Sequence, residues 1–294
     1  MRIAVTGKTG QVVTSLIERG AAAGHEVIAL GRPELDLADP ASVLRVIADA
    51  APDVIVSAAA YTAVDKAESE SELAHAVNGA GAGTVALAAK ALGVPLIHIS
   101  TDYVFDGKGD RPYRESDPTG PTGVYGASKL AGEEAVLAAY PEGSAVLRVA
   151  WVYSPFGGNF VKTMLRLAGD RDEISVVADQ VGNPTSALDI ADGVVKVATN
   201  LVADAEPALR GIFHMTAGGE ASWADFAEGI FAASAARGGP SAGVKRITTA
   251  QYPTPATRPA NSRLDCGKIA AAHGVALPDW HGSLETVVAR LQAA

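Results

Sequence analysis

Cysteine is nearly absent: Cys266 is the only one in 294 residues. A single thiol excludes an intrachain disulfide and fits a reducing cytosol. Cys266 reads as a small filler residue, with a reactive thiol as the alternative. Aromatic residues are scarce at 5%, so the 48% hydrophobic content rests largely on Ala and Val. That composition points to a compact globular chain and away from a disordered one. Positive charge is in deficit, with 24 Lys and Arg against 33 Asp and Glu, a net charge of -9. Phosphate backbones need clustered cations, so a nucleic-acid partner is not expected. An anionic small molecule needs only a few placed cations and stays open. No apolar run approaches the ~20 residues that span a bilayer. The run after Arg2 ends at Gly7, too short for a signal-peptide core. The expectation is a soluble cytoplasmic protein with no membrane partner.

What is present is an alternation of short apolar runs and helical stretches. Arg2 to Thr6 reads as a buried parallel strand. Gly7-Lys-Thr-Gly-Gln-Val follows at once, then a helix over 12–23 that closes on Gly24, then a strand over 26–30. This is a βαβ unit with a glycine-rich first turn. Gly7 permits the tight turn, Gly10 lets the backbone approach a pyrophosphate, and the helix start offers free N–H groups to it. The spacing is G-x-x-G, and Val13 stands where a third glycine is found in the longer fingerprint. At the end of the second strand, where an acid would bond a ribose 2′-hydroxyl, the chain has Gly31 and then Arg32. A guanidinium suits a 2′-phosphate, so NADPH is expected, with NADH as the alternative. A solvated surface arginine is the plainer reading of Arg32.

Asp39 reads as the cap of a helix over 40–50 with Pro at its first position. Strands follow over 54–58, 96–100 and 145–150, and helices over 74–92 and 124–140. Five strands alternating with helices give an α/β fold, a Rossmann-type doubly wound parallel sheet. His98, inside the fourth strand, reads as a core or hydrogen-bonded histidine. The Gly- and Pro-rich loop over 103–123 is long enough to be functional. After residue 150 the pattern loosens. Asn159 precedes a helix to 168, and a strand is expected over 174–178. Asp189 reads as the cap of a helix to 201, a strand is expected over 211–216, and Ser222 caps a helix over 223–236. The stretch over 253–264 reads as irregular, and a last helix runs over 283–292. The division expected is a dinucleotide-binding domain over 1–150, with parts of 170–200 interleaved, and a smaller substrate-binding lobe over 151–294.

The chemistry-bearing stretch is Ser100 to Lys129. Thr101 ends the fourth strand, and Tyr125 and Lys129 lie four residues apart, one face of a helix. A phenol beside an ammonium and a strand-end hydroxyl describes proton transfer next to a bound ligand.

These residues resemble the extended short-chain dehydrogenase/reductases. Gly7-Lys-Thr-Gly-Gln-Val12, Ala59 to Glu68, Ser100 to Gly107, Trp151-Val-Tyr153, Asn159-Phe160 and Arg258 to Asp265 are similar to the dTDP-4-dehydrorhamnose reductase family within them. The resemblance implies NAD(P)H-dependent reduction of a 4-keto group on a dTDP-sugar, yielding dTDP-L-rhamnose for cell-surface polysaccharide. It implies that Tyr125 is the proton donor, that Lys129 lowers its pKa and orients the nicotinamide ribose, and that Thr101 bonds the substrate oxygen. It places cofactor contacts at Gly7, Thr9, Gly10, Gln11, Val12, Asp36, Leu37, Ala58, Ala59, Ala60 and Tyr61. It places substrate contacts at Thr101, Asp102, Trp151, Asn159 and Arg258, the last beside the diphosphate. On their own, Trp151 reads equally as a core aromatic and Arg258 as a surface charge. Magnesium-dependent members carry a glutamate where this chain has Ser15, which argues against a bound metal and the dimer it would bridge. A monomer or weak homodimer is therefore expected. Two alternatives remain: a related sugar-nucleotide epimerase or dehydratase, and a non-catalytic regulatory homologue. Asp102 alone, without a second acid, disfavours the dehydratase, and the presence of Tyr125 and Lys129 disfavours the regulator.

Overall fold

The structure, a computed structural model, describes residues 1–293. Strand β1 (Arg2–Thr6) is followed by α1 (Gln11–Ala22), β2 (Glu26–Leu30), α2 (Pro40–Ala50) and β3 (Val54–Ser57). Asp39 caps α2 as expected: its Oδ1 accepts from the Ala41 amide, and Pro40 fills the first position. A short helix α3 (Val64–Ala67) precedes α4 (Ser71–His75). This continues through a π-helical turn (Ala76–Ala80) into α5 (Gly81–Leu92), which stops at Gly93 in the left-handed conformation, φ 67°. Then come β4 (Leu96–Thr101), α6 (Val124–Ala139) and β5 (Ser144–Val149).

Five parallel strands are thus in place by residue 149, but the sheet has six. The chain leaves through β6 (Val152–Tyr153), α7 (Phe160–Ala168), β7 (Glu173–Val177), β8 (Val181–Gly182) and β9 (Thr185–Ser186). It then returns through α8 (Ala187–Ala203) and β10 (Gly211–His214). The order is β10-β5-β4-β3-β1-β2, all parallel. The sheet is wound outward in both directions from β1 and β3, so a crevice opens at their C-terminal ends. Alternation along β1 divides the core. Ile3 and Val5 face α1 and α8, against Leu16, Val194 and Val197. Ala4 faces α2, α5 and α6, against Val43, Ile47, Val85 and Val136. Each fully buried Val or Ile contributes about 1.5–3 kcal/mol. The helix at 187 is capped by Ser186, whose Oγ accepts from the Leu188 amide, and Asp189 lies in its first turn instead of at the cap.

The remaining chain forms β11 (Ala221–Ser222), α9 (Trp223–Ala235), β12 (Gly243–Ile247), β13 (Asn261–Ser262), α10 (Gly267–His273) and α11 (Trp280–Ala293). Strand β12 pairs with β7, and β8 lies between β11 and β13. A second core of Tyr153, Val161, Met164, Phe226, Ile230, Trp280 and Leu284 holds these elements. No described helix is long and apolar enough to cross a membrane.

Helix α6 lies close on the π-turn because its contact positions have no side chain. A Cβ on Gly132 would stand 2.1 Å from the Asn78 carbonyl oxygen, a backbone atom that cannot swing away. Gly132→Ala is therefore expected to destabilise the protein by about 1–3 kcal/mol in urea unfolding. Gly282→Ala, in α11 where a Cβ meets nothing within 4 Å, is expected to be neutral or stabilising. Equal stability of the two variants would disprove the close approach.

Candidate active site

The C-terminal ends of β1, β3 and β4 open into a cleft of 1140 Å³. At one end lies the glycine turn. Gly7 has φ +103°, a conformation that side chains rarely adopt. Gly10 has no side chain to cap α1, so the first amides of the helix face the cleft, the arrangement that holds a pyrophosphate. A Cβ on Gly31 would meet the Gly7 carbonyl carbon at 3.3 Å and Lys8 Cγ at 3.2 Å, a tight fit that a larger side chain would enter only with a small shift of the turn. Arg32 follows on the exposed rim, beside Lys8, which pairs with Glu34 at 2.5 Å. Thr9, Gln11, Val12, Asp36, Leu37, Ala58, Ala59, Ala60 and Tyr61 all line this half. The amides of Ala58 and Ala59 both donate to Thr6 Oγ1 at 3.0 Å, which ties the chain just past β3 to the end of β1.

At the centre, Thr101, Tyr125 and Lys129 come together with Asp102. Thr101 Oγ1 donates to Asp102 Oδ1 at 3.0 Å and accepts from the Tyr103 amide at 3.3 Å. Burial pushes the Asp102 carboxyl up to about 6, with Ser262 and Thr101 opposing it. The half-buried Tyr125 ring meets Tyr103 edge-on at 5.4 Å. Its phenol is pushed above the usual tyrosine range by burial and then by the Asp102 charge; the Thr101 hydroxyl partly offsets them. Lys129 does not bring it down, contrary to expectation. The Lys129 ammonium is turned to the sheet, donating to the Ile99 carbonyl at 2.7 Å and to His98 Nε2 at 3.3 Å. Burial pushes Lys129 itself down to about 8. His98 is held well below its usual value by burial and by Lys129, so it stays neutral. With Nε2 accepting, its Nδ1 carries the proton and donates to Ser57 Oγ at 3.1 Å.

The far wall is aromatic. Trp151 stacks on Trp223 at 3.6 Å, and Phe160 meets Trp223 at 4.7 Å. Trp151 has φ 46°, a strained backbone for a bulky residue, and strain of this kind collects at functional sites. Gly182 makes room for its indole, since a Cβ there would lie 2.5 Å from the ring.

Asn159 and Arg258 do not line the cleft. Asn159 caps α7 through Oδ1, and its Nδ2 donates to Gln11 Oε1 at 3.0 Å and to the Ser154 carbonyl at 2.8 Å. Arg258 is tied to Asp65 at 2.7 Å. The structure adds Trp223 and, behind the wall, Asn78, for which the chain pattern gives no signal, and it puts Tyr103 and Phe160, which lie inside stretches that carry the resemblance, in the cleft lining. Asn78 Oδ1 accepts from the Tyr61 amide at 2.7 Å, and its Nδ2 donates to Ser128 Oγ at 2.9 Å. It thereby joins the β3 loop to the turn of α6 between Tyr125 and Lys129. The π-turn that carries Asn78 is the kind of helix defect often found at functional sites. Among the described residues, no group of three or more His, Cys, Asp or Glu is placed to hold a metal ion. Ser15 is fully buried on α1.

The profile of the family described as "RmlD substrate binding domain" matches residues 1–293. A protein of Sinorhizobium fredii named dTDP-4-dehydrorhamnose reductase is 53% identical over 288 residues, 98% of this chain and 97% of that protein. A crystal structure of a dTDP-4-dehydrorhamnose reductase from Clostridium acetobutylicum superposes with a TM-score of 0.92 at 37% identity, covering 99% of this chain and 100% of that one. The enzyme of the same name from Bacillus anthracis, in complex with NADP, gives a TM-score of 0.90 at 35% identity, with 97% and 98% covered. With its whole described length matched, the chain belongs to the dTDP-4-dehydrorhamnose reductase family.

Proposed function

We propose that this protein reduces the 4-keto group of dTDP-4-dehydro-L-rhamnose to give dTDP-L-rhamnose, using NADPH. The observation that carries the reading is the convergence of Thr101, Tyr125 and Lys129 in one cleft with the glycine turn. Bound NADPH would supply the hydride, with its pyrophosphate on the α1 amides and Arg32 and Lys8 near its 2′-phosphate. Tyr125 gives its proton to the C4 oxygen. A phenol held above its usual pKa keeps that proton until the oxygen gains the charge of an alkoxide, a far stronger base. Thr101 offers its hydroxyl to the same oxygen, and Asp102 bonds the sugar hydroxyls. Lys129 orients the nicotinamide ribose. The Trp151–Trp223 stack offers the nucleotide a flat apolar wall. Asn159 serves the cofactor half indirectly by holding Gln11, and Arg258, outside the cleft lining on Asp65, stays the candidate for the diphosphate. In this division the six-stranded sheet binds the cofactor, and the elements after 150 that do not rejoin it bind the sugar. The enzyme works in the cytoplasm without magnesium, nucleic acid or membrane, as a monomer or weak homodimer.

The deciding measurement is NADPH oxidation on adding dTDP-4-dehydro-L-rhamnose. A rate at background, from folded protein that binds NADPH, would sink the reading. The pH dependence has a definite sign. Lys129 must be an ammonium, and its pKa lies at about 8, so kcat/KM for NADPH is expected to fall as pH rises through that value. Tyr125 adds no limb there, because its phenol stays protonated. Lys129→Arg should move the limb to higher pH, and a flat wild-type profile across that range would remove Lys129 from its role.

A further inference from the structure

Below the cleft floor, and not lining it, lies a buried ion pair. Arg148 on β5 and Glu133 on α6 are 2% and 1% exposed. Arg148 Nη2 donates to Glu133 Oε2 at 2.7 Å and Nε to Oε1 at 2.9 Å, while Ser100 Oγ donates to Oε1 at 2.5 Å. On its other side, Arg148 Nη1 stands 3.5 Å from His214 Nε2, and His214 Nδ1 is 3.1 Å from the Tyr113 carbonyl. A carbonyl only accepts, so Nδ1 carries the proton and Nε2 turns its lone pair to Arg148. Burial, then the Arg148 charge, pushes His214 down to about 3, so it is neutral. The guanidinium also lies 4.9 Å over Phe105, whose ring stacks on Tyr113 at 4.2 Å.

The two groups on Glu133 join particular elements. Glu133 follows Lys129 by one turn and Tyr125 by two on α6. Ser100 immediately precedes Thr101 on β4. We propose that the Arg148–Glu133 pair is a positioning device: it fixes the register of α6 against β4, and so places Tyr125, Lys129 and Thr101 together, and it holds the Glu133 carboxylate one helical turn from the Lys129 side chain. The roles of those three residues rest on the reductase reading. A buried ion pair is weak evidence for stability, because apolar residues of similar volume often hold a fold as well or better; its best-attested use is to set registry. The Lys129 ammonium is faced by His98 and the Ile99 carbonyl from β4, with Ser57 of β3 behind His98. Along its own helix lie Tyr125 and Glu133, with Arg148 of β5 behind Glu133 and Asp102 and Tyr103 beyond Tyr125. Among them Glu133 is the charge that opposes the downward pull of burial on Lys129.

The test is the double variant Glu133→Leu/Arg148→Met in the full chain. It is expected to unfold cooperatively at or above the wild-type Tm while kcat falls about 100-fold, the cost of displacing catalytic groups by about an ångström. A folded double variant with wild-type kcat overturns the proposal. Glu133→Gln keeps the side-chain shape and removes the charge. Titrated by lysine Nζ NMR, Lys129 is expected to lose its proton at lower pH in this variant than in wild type; an unmoved titration overturns the proposal. Should the double variant fail to fold, that titration decides alone. It needs no turnover, so a wild-type enzyme that fails to oxidise NADPH would count against the reductase reading and leave this result standing.

Discussion

Tyr125→Phe is expected to lower kcat by about 10²–10⁴-fold, the span of general acid catalysis, with NADPH binding nearly unchanged. The substitution removes one oxygen. The ring keeps its edge-on contact with Tyr103 at 5.4 Å, and Ser128 Oγ keeps its bond to the residue 125 carbonyl at 2.8 Å, so α6 holds its place. What is lost is the proton source. Asp102 is no substitute: its one-residue offset from Thr101 directs Oδ1 to the threonine hydroxyl, and near neutral pH a carboxyl with a pKa of about 6 is mostly ionised. Lys129 points to Ile99 and His98. Stopped-flow reduction under saturating substrate, with NADPH fluorescence titration in parallel, separates the two effects. A variant that turns over at the wild-type rate would remove Tyr125 from the chemistry; one that also loses NADPH would make it a cofactor ligand first.

The part of this site legible in the sequence is the part set by local spacing. A strand of β-branched residues, two glycines and a helix fix the phosphate turn, because period and turn chemistry act over a few residues. Asp39 and Ser222 announced their helices because capping is local too. The triad followed from a four-residue helical spacing and a strand end. The sixth strand was visible as a strand, but nothing in Gly211 to His214 says that it pairs with β5; the long return through α8 decides that. Spacing placed Tyr125 and Lys129 on one face but could not say where Nζ ends. A buried ammonium takes the nearest fixed dipole, here the Ile99 carbonyl, and so the expected influence of Lys129 on Tyr125 did not appear. Asn78 was invisible for a related reason. It sits in a run that reads as continuous helix, and the π-turn that aims it at Tyr61 and Ser128 packs against the bare Gly132 surface, a contact between segments distant in the chain.

Arg148→Met alone is expected to cost about 3–5 kcal/mol, because it leaves the Glu133 carboxylate buried without its cation. At roughly 2–4 °C per kcal/mol, the melting temperature should fall by roughly 6–20 °C. The competing effect is favourable, since methionine fills an apolar neighbourhood of Phe105 and the strand core. It is the smaller one: burial of a flexible thioether contributes about 1.5–3 kcal/mol, part of which the arginine stem already supplied. Ser100 Oγ is the only other side-chain donor on the carboxylate among the described residues, and one hydroxyl does not replace the guanidinium bonds. Urea unfolding of the single variant against wild type measures the loss directly. A loss below about 1 kcal/mol would mean that Glu133 behaves as an exposed ion does, and its carboxylate would then have to reach water through a path absent from the closed packing of β4, β5 and α6. The strand Ser-Ala-Val-Leu-Arg-Val reads as a buried apolar run interrupted by one charge. A charge in such a run persists only with a partner, and its partner lies on the helix that carries the phenol and the ammonium.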